Sequence, residues 1–252
     1  MFHAQSHSTD SQNLRIKIRP FRNPCYSVLP YNPLVSISHL IFDLDDTLYP
    51  PGNGLWDEIG ERINRFMIER IGIDPAQVND VRRQYYQTYG TSLRGLMINY
   101  PQMSPDDYLA FVHAVDIGRY LGPDPALDSM LAVLPQPKAI FTNSDTPHAN
   151  RILNCLGIAR HFTHIVDIRA MNFLNKPDPH SYATLLATLA VPAAQCLYAE
   201  DSLRNLRPAK ALGMTTLLVS SNGCEPDPAI DYRVGTILET GAIIQRLSRA
   251  EV

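Results

Sequence analysis

The sequence predicts an α/β fold, a doubly wound parallel sheet with an α-helical cap inserted after its first strand. Three observations lead there. Five short apolar runs, at 38–42, 138–141, 163–166, 196–199 and 215–219, read as buried strands. Helical patterns separate most of them, and strand, helix, strand at this spacing means parallel neighbours covered on both faces. The interval 50–135 breaks the rhythm: it carries helical stripes, no convincing strand, and is too long for a crossover.

The first run, Ser38 to Phe42, ends at an acidic segment. In the interval that follows, Leu55, Ile59, Ile63, Phe66 and Met67 form one stripe. Val78, Val81, Tyr85 and Tyr89 form a second, opened by Asp74-Pro75, and Tyr108, Phe111, Val112 and Val115 a third, opened by Ser104-Pro105. Leu127, Met130, Leu131 and Leu134 mark a fourth. The block 50–135 is therefore expected to be a helical cap over the mouth of a core made of 38–49 and 136–252. After the second strand, Thr146-Pro147 reads as a helix start, followed by Ala149, Ile152, Leu153 and Leu156 and closed by Gly157. Asp178-Pro179 repeats that device before Tyr182, Leu185, Leu186 and Leu189. A short helix from Leu203 to Leu212, ended by Gly213, must be bent or shortened by Pro208. Ligands of such sheets bind beyond the carboxyl ends of the strands.

At 252 residues, 45% hydrophobic and 19% charged, the chain can bury one good core plus a small satellite. No apolar run is long enough to span a bilayer, and residues 1–25 lack the apolar segment of a secretory signal, so the expected setting is cytoplasmic, without a membrane. Arg15, Lys17, Arg19 and Arg22 face one acid, Asp10, in residues 1–38, while the rest holds the acidic excess. A basic surface for nucleic acid is not evident there. Residues 1–37 read as a disordered extension, with an organelle transit peptide as the alternative for an Arg-bearing, acid-poor start. Cys25, Cys155, Cys196 and Cys224 are too dispersed for a zinc knot or disulfide frame and read as buried thiols.

Four positions carry chemistry. Asp43-Leu44-Asp45-Asp46-Thr47 ends the first strand; alternation would point Asp43 and Asp45 the same way, two carboxylates that do not both ionise cheaply without a cation nearby. One carboxylate can attack phosphorus and a second can move protons, although an acidic turn would look the same. Thr142-Asn143-Ser144-Asp145 ends the second strand and could hold a phosphoryl oxygen, or be ordinary cap chemistry. Lys176, in Asn175-Lys176-Pro177-Asp178, is a compact cation suited to offsetting carboxylate and phosphate charge. Glu200-Asp201 ends the fourth strand and offers hard oxygen ligands for Mg²⁺, or a helix cap. All four fall where one crevice would collect them.

This set resembles the haloacid dehalogenase-like superfamily of phosphotransferases over residues 38 to about 235: D-x-D-x-T, then Thr or Ser, then Lys, then an acidic pair. The segments Phe42 to Pro50, Tyr89 to Leu96, Phe141-Thr142-Asn143 and Glu200 to Leu206 are similar to its pyrimidine 5′-nucleotidase-like branch. The resemblance implies a Rossmann-like core and an aspartyl-phosphate route with Asp43 as nucleophile and Asp45 as general acid/base. Thr142 and the Asn143 region would bind the phosphoryl group, and Lys176 would stabilise it and Asp43. Mg²⁺ would be held by Asp43, the Asp45 carbonyl and Asp201, with Glu200 a direct or water-mediated partner. Thr47 would brace the loop, and Asn205 would stand where a second acid is common. Of the cap residues that could reach the crevice, Tyr49, Trp56, Tyr89, Arg94 and His113, Arg94 is the expected substrate contact. The expected activity is hydrolysis of a small-molecule phosphate ester, foremost a pyrimidine nucleoside 5′-monophosphate. A sugar-phosphate phosphatase or mutase and a non-catalytic regulatory protein are the alternatives. Oligomeric state is not readable.

Overall fold

A computed structural model describes residues 36–221 and 226–249 of the chain. Nearly all of the extension expected over 1–37, together with Cys25 and Cys224, lies outside the described residues. The core is a six-stranded parallel sheet in the order β3-β2-β1-β4-β5-β6. Its strands are β1 (His39–Phe42), β2 (Lys138–Phe141), β3 (Phe162–Val166), β4 (Cys196–Glu200), β5 (Thr215–Val219) and β6 (Tyr232–Val234). The five strands read from the sequence are present. The sixth is a three-residue edge strand beside β5, too short to leave a periodic signal.

Alternation along the strands sorts the core into two layers. Leu40, Phe42, Ile140, Leu197, Ala199 and Leu217 face one side, where they meet α5 (Pro125–Ala132), α6 (Thr146–Leu156) and α9 (Thr240–Arg249). Ile41, Ala139, Phe141, Tyr198 and Leu218 face the other, against α7 (Pro179–Leu189) and α8 (Leu203–Ala211). Burial on both faces explains why β1, β2 and β4 read as continuous apolar runs rather than alternating ones. Helix starts follow side-chain capping. Asp178 caps α7 as the sequence suggests, but α6 is capped by Asp145, one residue before Thr146, because its carboxylate accepts from His148 N. Helix α8 runs to Ala211 through Pro208.

Between β1 and β2 come α1 (Leu55–Phe66), extended by a π-helical turn over Met67–Ile71, then α2 (Val78–Tyr89), α3 (Ser92–Asn99) and α4 (Pro105–Val112). Helices α1 and α4 pack together, as do α2 and α3. Helix α2 starts three residues after Asp74-Pro75, which instead form a turn in which Gln77 N donates to Asp74 O. After Gly90, the Thr91 hydroxyl caps α3 by accepting from Arg94 N at 3.1 Å. Helix α5, which the sequence groups with the cap, has Leu127 and Leu131 in the apolar layer of Leu40 and Phe42. Leu55 and Ile59 of α1 belong to that same apolar cluster, so the inserted helices and the sheet share one core there. Among the described residues no helix is long and apolar enough to cross a membrane.

The α2–α3 contact depends on Gly95, where a Cβ would lie 2.3 Å from Tyr85 Cγ and 2.6 Å from Tyr85 Cβ. The base of a side chain cannot swing aside, so Gly95→Ala must separate the two helices. It is expected to cost about 1–3 kcal/mol in urea denaturation. Gly122→Ala, where a Cβ meets nothing within 4 Å, should stay within about 0.5 kcal/mol.

Candidate active site

In this strand order the chain reverses direction across the sheet between β1 and β4, and the crevice beyond their carboxyl ends is the natural ligand site. Asp43 follows β1 directly, its N–H still bonded to Ala199 O at 2.9 Å. Glu200 closes β4 and Asp201 follows it. Lys176 comes from the loop between β3 and α7 and is 2% exposed. Its Nζ donates to Asp43 Oδ1 at 2.6 Å, Phe141 O at 2.7 Å, Tyr198 OH at 3.0 Å and Glu200 Oε2 at 3.0 Å. The ammonium thus finds acceptors on β1, β2 and β4 together. Asn143 holds the lysine's loop in place, accepting from Lys176 N at 2.8 Å and donating to Lys176 O at 3.3 Å.

Asp43, Glu200 and Asp201 each place an oxygen within 4.8 Å of the others. One ammonium faces three carboxylates, and the titration of the group reflects the imbalance. Burial first, and then Glu200, push Asp43 up to about 8 in spite of Lys176. Asp201 is pushed up to about 9 by burial, Glu200 and Asp43. Glu200 is held below its ordinary value: burial acts to raise it, but Lys176 and hydrogen bonds from its neighbours prevail. Burial alone would lower Lys176, yet Asp43 and Glu200 hold it above the usual lysine range. A dense set of hard oxygen donors short of positive charge fits a divalent cation. Glu200 is the least available of the three, since Ser202 N, Tyr198 OH and Lys176 already donate to it. The Thr47 hydroxyl lies 3.3 Å from both Asp43 Oδ2 and Asp201 Oδ1, and accepts from Asp201 N at 3.1 Å, bracing the loop as its place in the motif suggests.

Asp45 stands apart from this trio. The chain leaves extended geometry after Phe42 and turns, with Asp46 at φ 59°, so alternation no longer governs where Asp43 and Asp45 point. Charge crowds Asp43 chiefly from Glu200 on β4, and Asp45 adds to it. The Asp45 carboxylate accepts from Tyr49 OH at 2.6 Å and Ser144 Oγ at 2.8 Å. Thr142 Oγ1 accepts from Ser144 N at 3.0 Å, which leaves its hydrogen to donate into the crevice.

A cavity of about 680 Å³ opens between these groups and the inserted helices. Asp43, Asp45, Thr142, Asn143, Lys176, Glu200, Asp201 and Asn205 line its floor. Arg94 does not line it: it lies in the first turn of α3, while Arg82 and Arg83 of α2 line the cavity instead. Of the other cap candidates, Trp56 and His113 line the cavity. Tyr49 is buried against Asp45, and Tyr89 packs edge-on to Tyr85. Asn79, Arg82, Arg83 and Tyr86 all line the cavity and recur at helical spacing, the polar stripe of α2. In sequence such a stripe reads as a solvated face, and nothing short of the fold reveals that it walls a cavity.

The family model for haloacid dehalogenase-like hydrolases matches residues 37–213, and the chain belongs to that family. Phosphate metabolism protein 8 of Saccharomyces cerevisiae is 30% identical over 190 residues, 69% of this chain and 58% of that protein. The chain thus spans little more than half the length of that relative. Among solved structures, the HAD phosphatase from Thermococcus onnurineus superposes with a TM-score of 0.59 at 18% identity, over 82% of this chain and 97% of that one. CbbY from Rhodobacter sphaeroides, in complex with phosphate, gives 0.57 at 19%, over 81% and 96%. The L-2-haloacid dehalogenase from Xanthobacter autotrophicus, with chloropropionic acid covalently bound, gives 0.53 at 16%, over 83% and 98%. These likenesses establish the shared fold.

His148 and Ser144 were not singled out from the sequence, although both lie in the segment that follows Thr142. His148 is fully buried, stacked on His113 at 4.1 Å. Arg151 Nη2 lies 3.2 Å from its Nδ1, which must therefore accept, so the neutral ring carries hydrogen on Nε2. Among the described residues that nitrogen has no hydrogen-bond partner, and it lies 3.9 Å from Asp45 Oδ1. Burial first, and then His113, push His148 down to about 4. Below about pH 6.5 the unfolded chain takes up a proton at this histidine that the folded protein refuses until about pH 4. Its stabilising share is thus complete above the unfolded value and lost as pH falls through that window. Between pH 7 and pH 5 the loss is expected to be about 2 kcal/mol. Urea unfolding of wild type and His148→Gln at both pH values checks it: the variant should show the smaller drop, and equal drops would contradict the assignment.

Proposed function

We propose that the chain is a Mg²⁺-dependent phosphomonoesterase that works through an aspartyl phosphate, with pyrimidine nucleoside 5′-monophosphates as the foremost substrates. One observation carries the reading: the buried Lys176 ammonium lies 2.6 Å from Asp43 Oδ1, beside two further carboxylates and under a cavity of nucleotide size. In the reaction, an Asp43 oxygen attacks phosphorus and the bond from phosphorus to the ester oxygen breaks. Asp45 gives its proton to the departing oxygen. Water then attacks the phosphorus of the aspartyl phosphate, Asp45 takes its proton, and the Asp43 carboxylate and inorganic phosphate are released. Lys176 and the Thr142 hydroxyl offset negative charge on the phosphoryl oxygens. The hydrogen bonds from Tyr49 and Ser144 orient Asp45 for both proton transfers.

Asp43, Asp201 and the Asp45 carbonyl would hold the metal, with Glu200 acting mainly through Lys176. The ion, when bound, lowers the repulsion between an anionic ester and the acidic floor. The name of the yeast relative, the phosphatase from Thermococcus and the phosphate bound to CbbY support phosphoryl chemistry on this fold. The resemblance of the segments around Asp43, Tyr89 and Glu200 to pyrimidine 5′-nucleotidases supports the substrate. A setting without membrane or nucleic acid, in the cytoplasm, accords with this reading.

Release of phosphate from a panel including uridine and cytidine 5′-monophosphates and sugar phosphates tests the proposal, with Asp43→Asn as the blank. Turnover is expected to fall by at least ~10³-fold in Asp43→Asn and in wild type stripped with EDTA, and to return with Mg²⁺. No release from any ester would end the phosphatase reading, and preference for sugar phosphates would move the substrate assignment. Because Asp43 and Asp201 are lifted to about 8 and 9, Mg²⁺ binding must displace protons. Affinity measured by calorimetry should therefore weaken steadily from pH 9 to pH 6, and a flat profile would contradict the site.

A further inference from the structure

The inserted helices give the cavity a wall in which Trp56, Ile59, Ile63, Tyr108 and Leu109 adjoin the polar stripe of α2, and one member of that stripe stands out. Arg82 is half-buried on that wall. Among the described residues it has no carboxylate partner, whereas its neighbour Arg83, which also lines the cavity, pairs with Asp80 at 3.4 Å. The Arg82 guanidinium instead lies against the backbone of α1, where Nη1 donates to Gly60 O.

Gly60 is what makes that position available. It sits in the interior of α1, where glycine is unfavourable relative to alanine. A Cβ there would lie 2.9 Å from Arg82 Nη1 and 3.5 Å from both Cζ and Nη2. The missing side chain is a seat for the guanidinium. An arginine carries five N–H donors in one plane, and the bond to Gly60 O uses one of them. The remainder is a planar, cationic donor set lining the same cavity as the floor where phosphoryl transfer is placed.

We infer that Arg82, seated on Gly60, selects phosphate esters whose leaving group presents a carbonyl or carboxylate oxygen to the inserted helices. This deepens the phosphatase reading and rests on it. Phosphoryl recognition belongs to Lys176 and Thr142 on the floor. Arg82 would read the other end of the substrate and act on binding rather than on the chemical step.

The test compares wild type, Arg82→Met and Gly60→Ala on three esters with Mg²⁺ present. Uridine 5′-monophosphate carries ring carbonyls, 3-phosphoglycerate carries a carboxylate, and ribose 5-phosphate carries neither. Arg82→Met is expected to raise KM about 10- to 100-fold, the worth of a hydrogen bond from a charged donor, for whichever acceptor-bearing ester the wild type turns over. The same substitution should leave KM for ribose 5-phosphate within about twofold and kcat within a few-fold. Gly60→Ala, which unseats a flexible side-chain end while improving helix propensity, should give the same pattern. The ester that loses more identifies the carbonyl or the carboxylate as the acceptor. Equal losses on all three esters, or none, would overturn the inference and leave the phosphatase reading intact. If wild type releases phosphate from nothing, that reading fails by itself, and calorimetric titration of Asp43→Asn with uridine 5′-monophosphate decides about Arg82. Weaker binding after adding Arg82→Met supports its role; unchanged or undetectable binding overturns it.

Discussion

The Lys176 ammonium is the point on which the site turns. It is buried, so its charge must be met at once by acceptors, and it finds them on three adjacent strands: Asp43 after β1, Phe141 O on β2, and Tyr198 and Glu200 on β4. Removing one partner of such a group leaves the other charges buried and unmatched. The loop that delivers the lysine is fastened by Asn143 at the end of β2. Strand order, loop and charge are therefore one construction. The parallel arrangement brings β1 and β4 together, and the lysine spans the acids that this adjacency concentrates.

The acids still outnumber the cation. A floor with more negative charge than one ammonium offsets would repel an anionic ester, and burial, with that excess added, raises Asp43 and Asp201. Proton uptake and a divalent ion are two ways to settle the same excess, and they compete for the same oxygens. The Asp45 carboxylate is held outside this trio by hydrogen bonds from Tyr49 and Ser144.

Much of this was legible in the residues, for identifiable reasons. Strands buried on both faces produce unbroken apolar runs, so β1, β2, β4 and β5 stand out, while β6, three residues on an edge, does not. Motif spacing located Asp43, Thr142, Lys176 and Asp201 because each closes a strand or precedes a helix that the pattern also shows. What failed depended on local dihedral angles or on surfaces met from far away. Alternation holds only while the chain stays extended, and the strand ends at Phe42, just before the acids. A Gly-Thr-Ser segment reads as a turn, and only the Thr91 cap makes it the start of α3, taking Arg94 off the cavity. The polar stripe of α2 carries the same pattern whether it faces water or a substrate, so Arg82 was invisible until α1 and α4 were set beside it.

The residue preceding the lysine ties the two halves of the molecule. Asn175 Nδ2 donates to Tyr89 O at 3.1 Å, and its Oδ1 accepts from the Thr91 hydroxyl at 3.2 Å, clasping the junction of α2 and α3. Gly90, at φ 90°, lies between them, and a Cβ there would come within 2.4 Å of the Asn175 amide and 3.2 Å of Lys176 O. Any swing of the inserted helices away from the sheet must break this clasp beside the ammonium that organises the floor. One amide side chain thus fixes both the junction of the inserted helices and, through its own bond to Lys176 O, the peptide that carries the lysine.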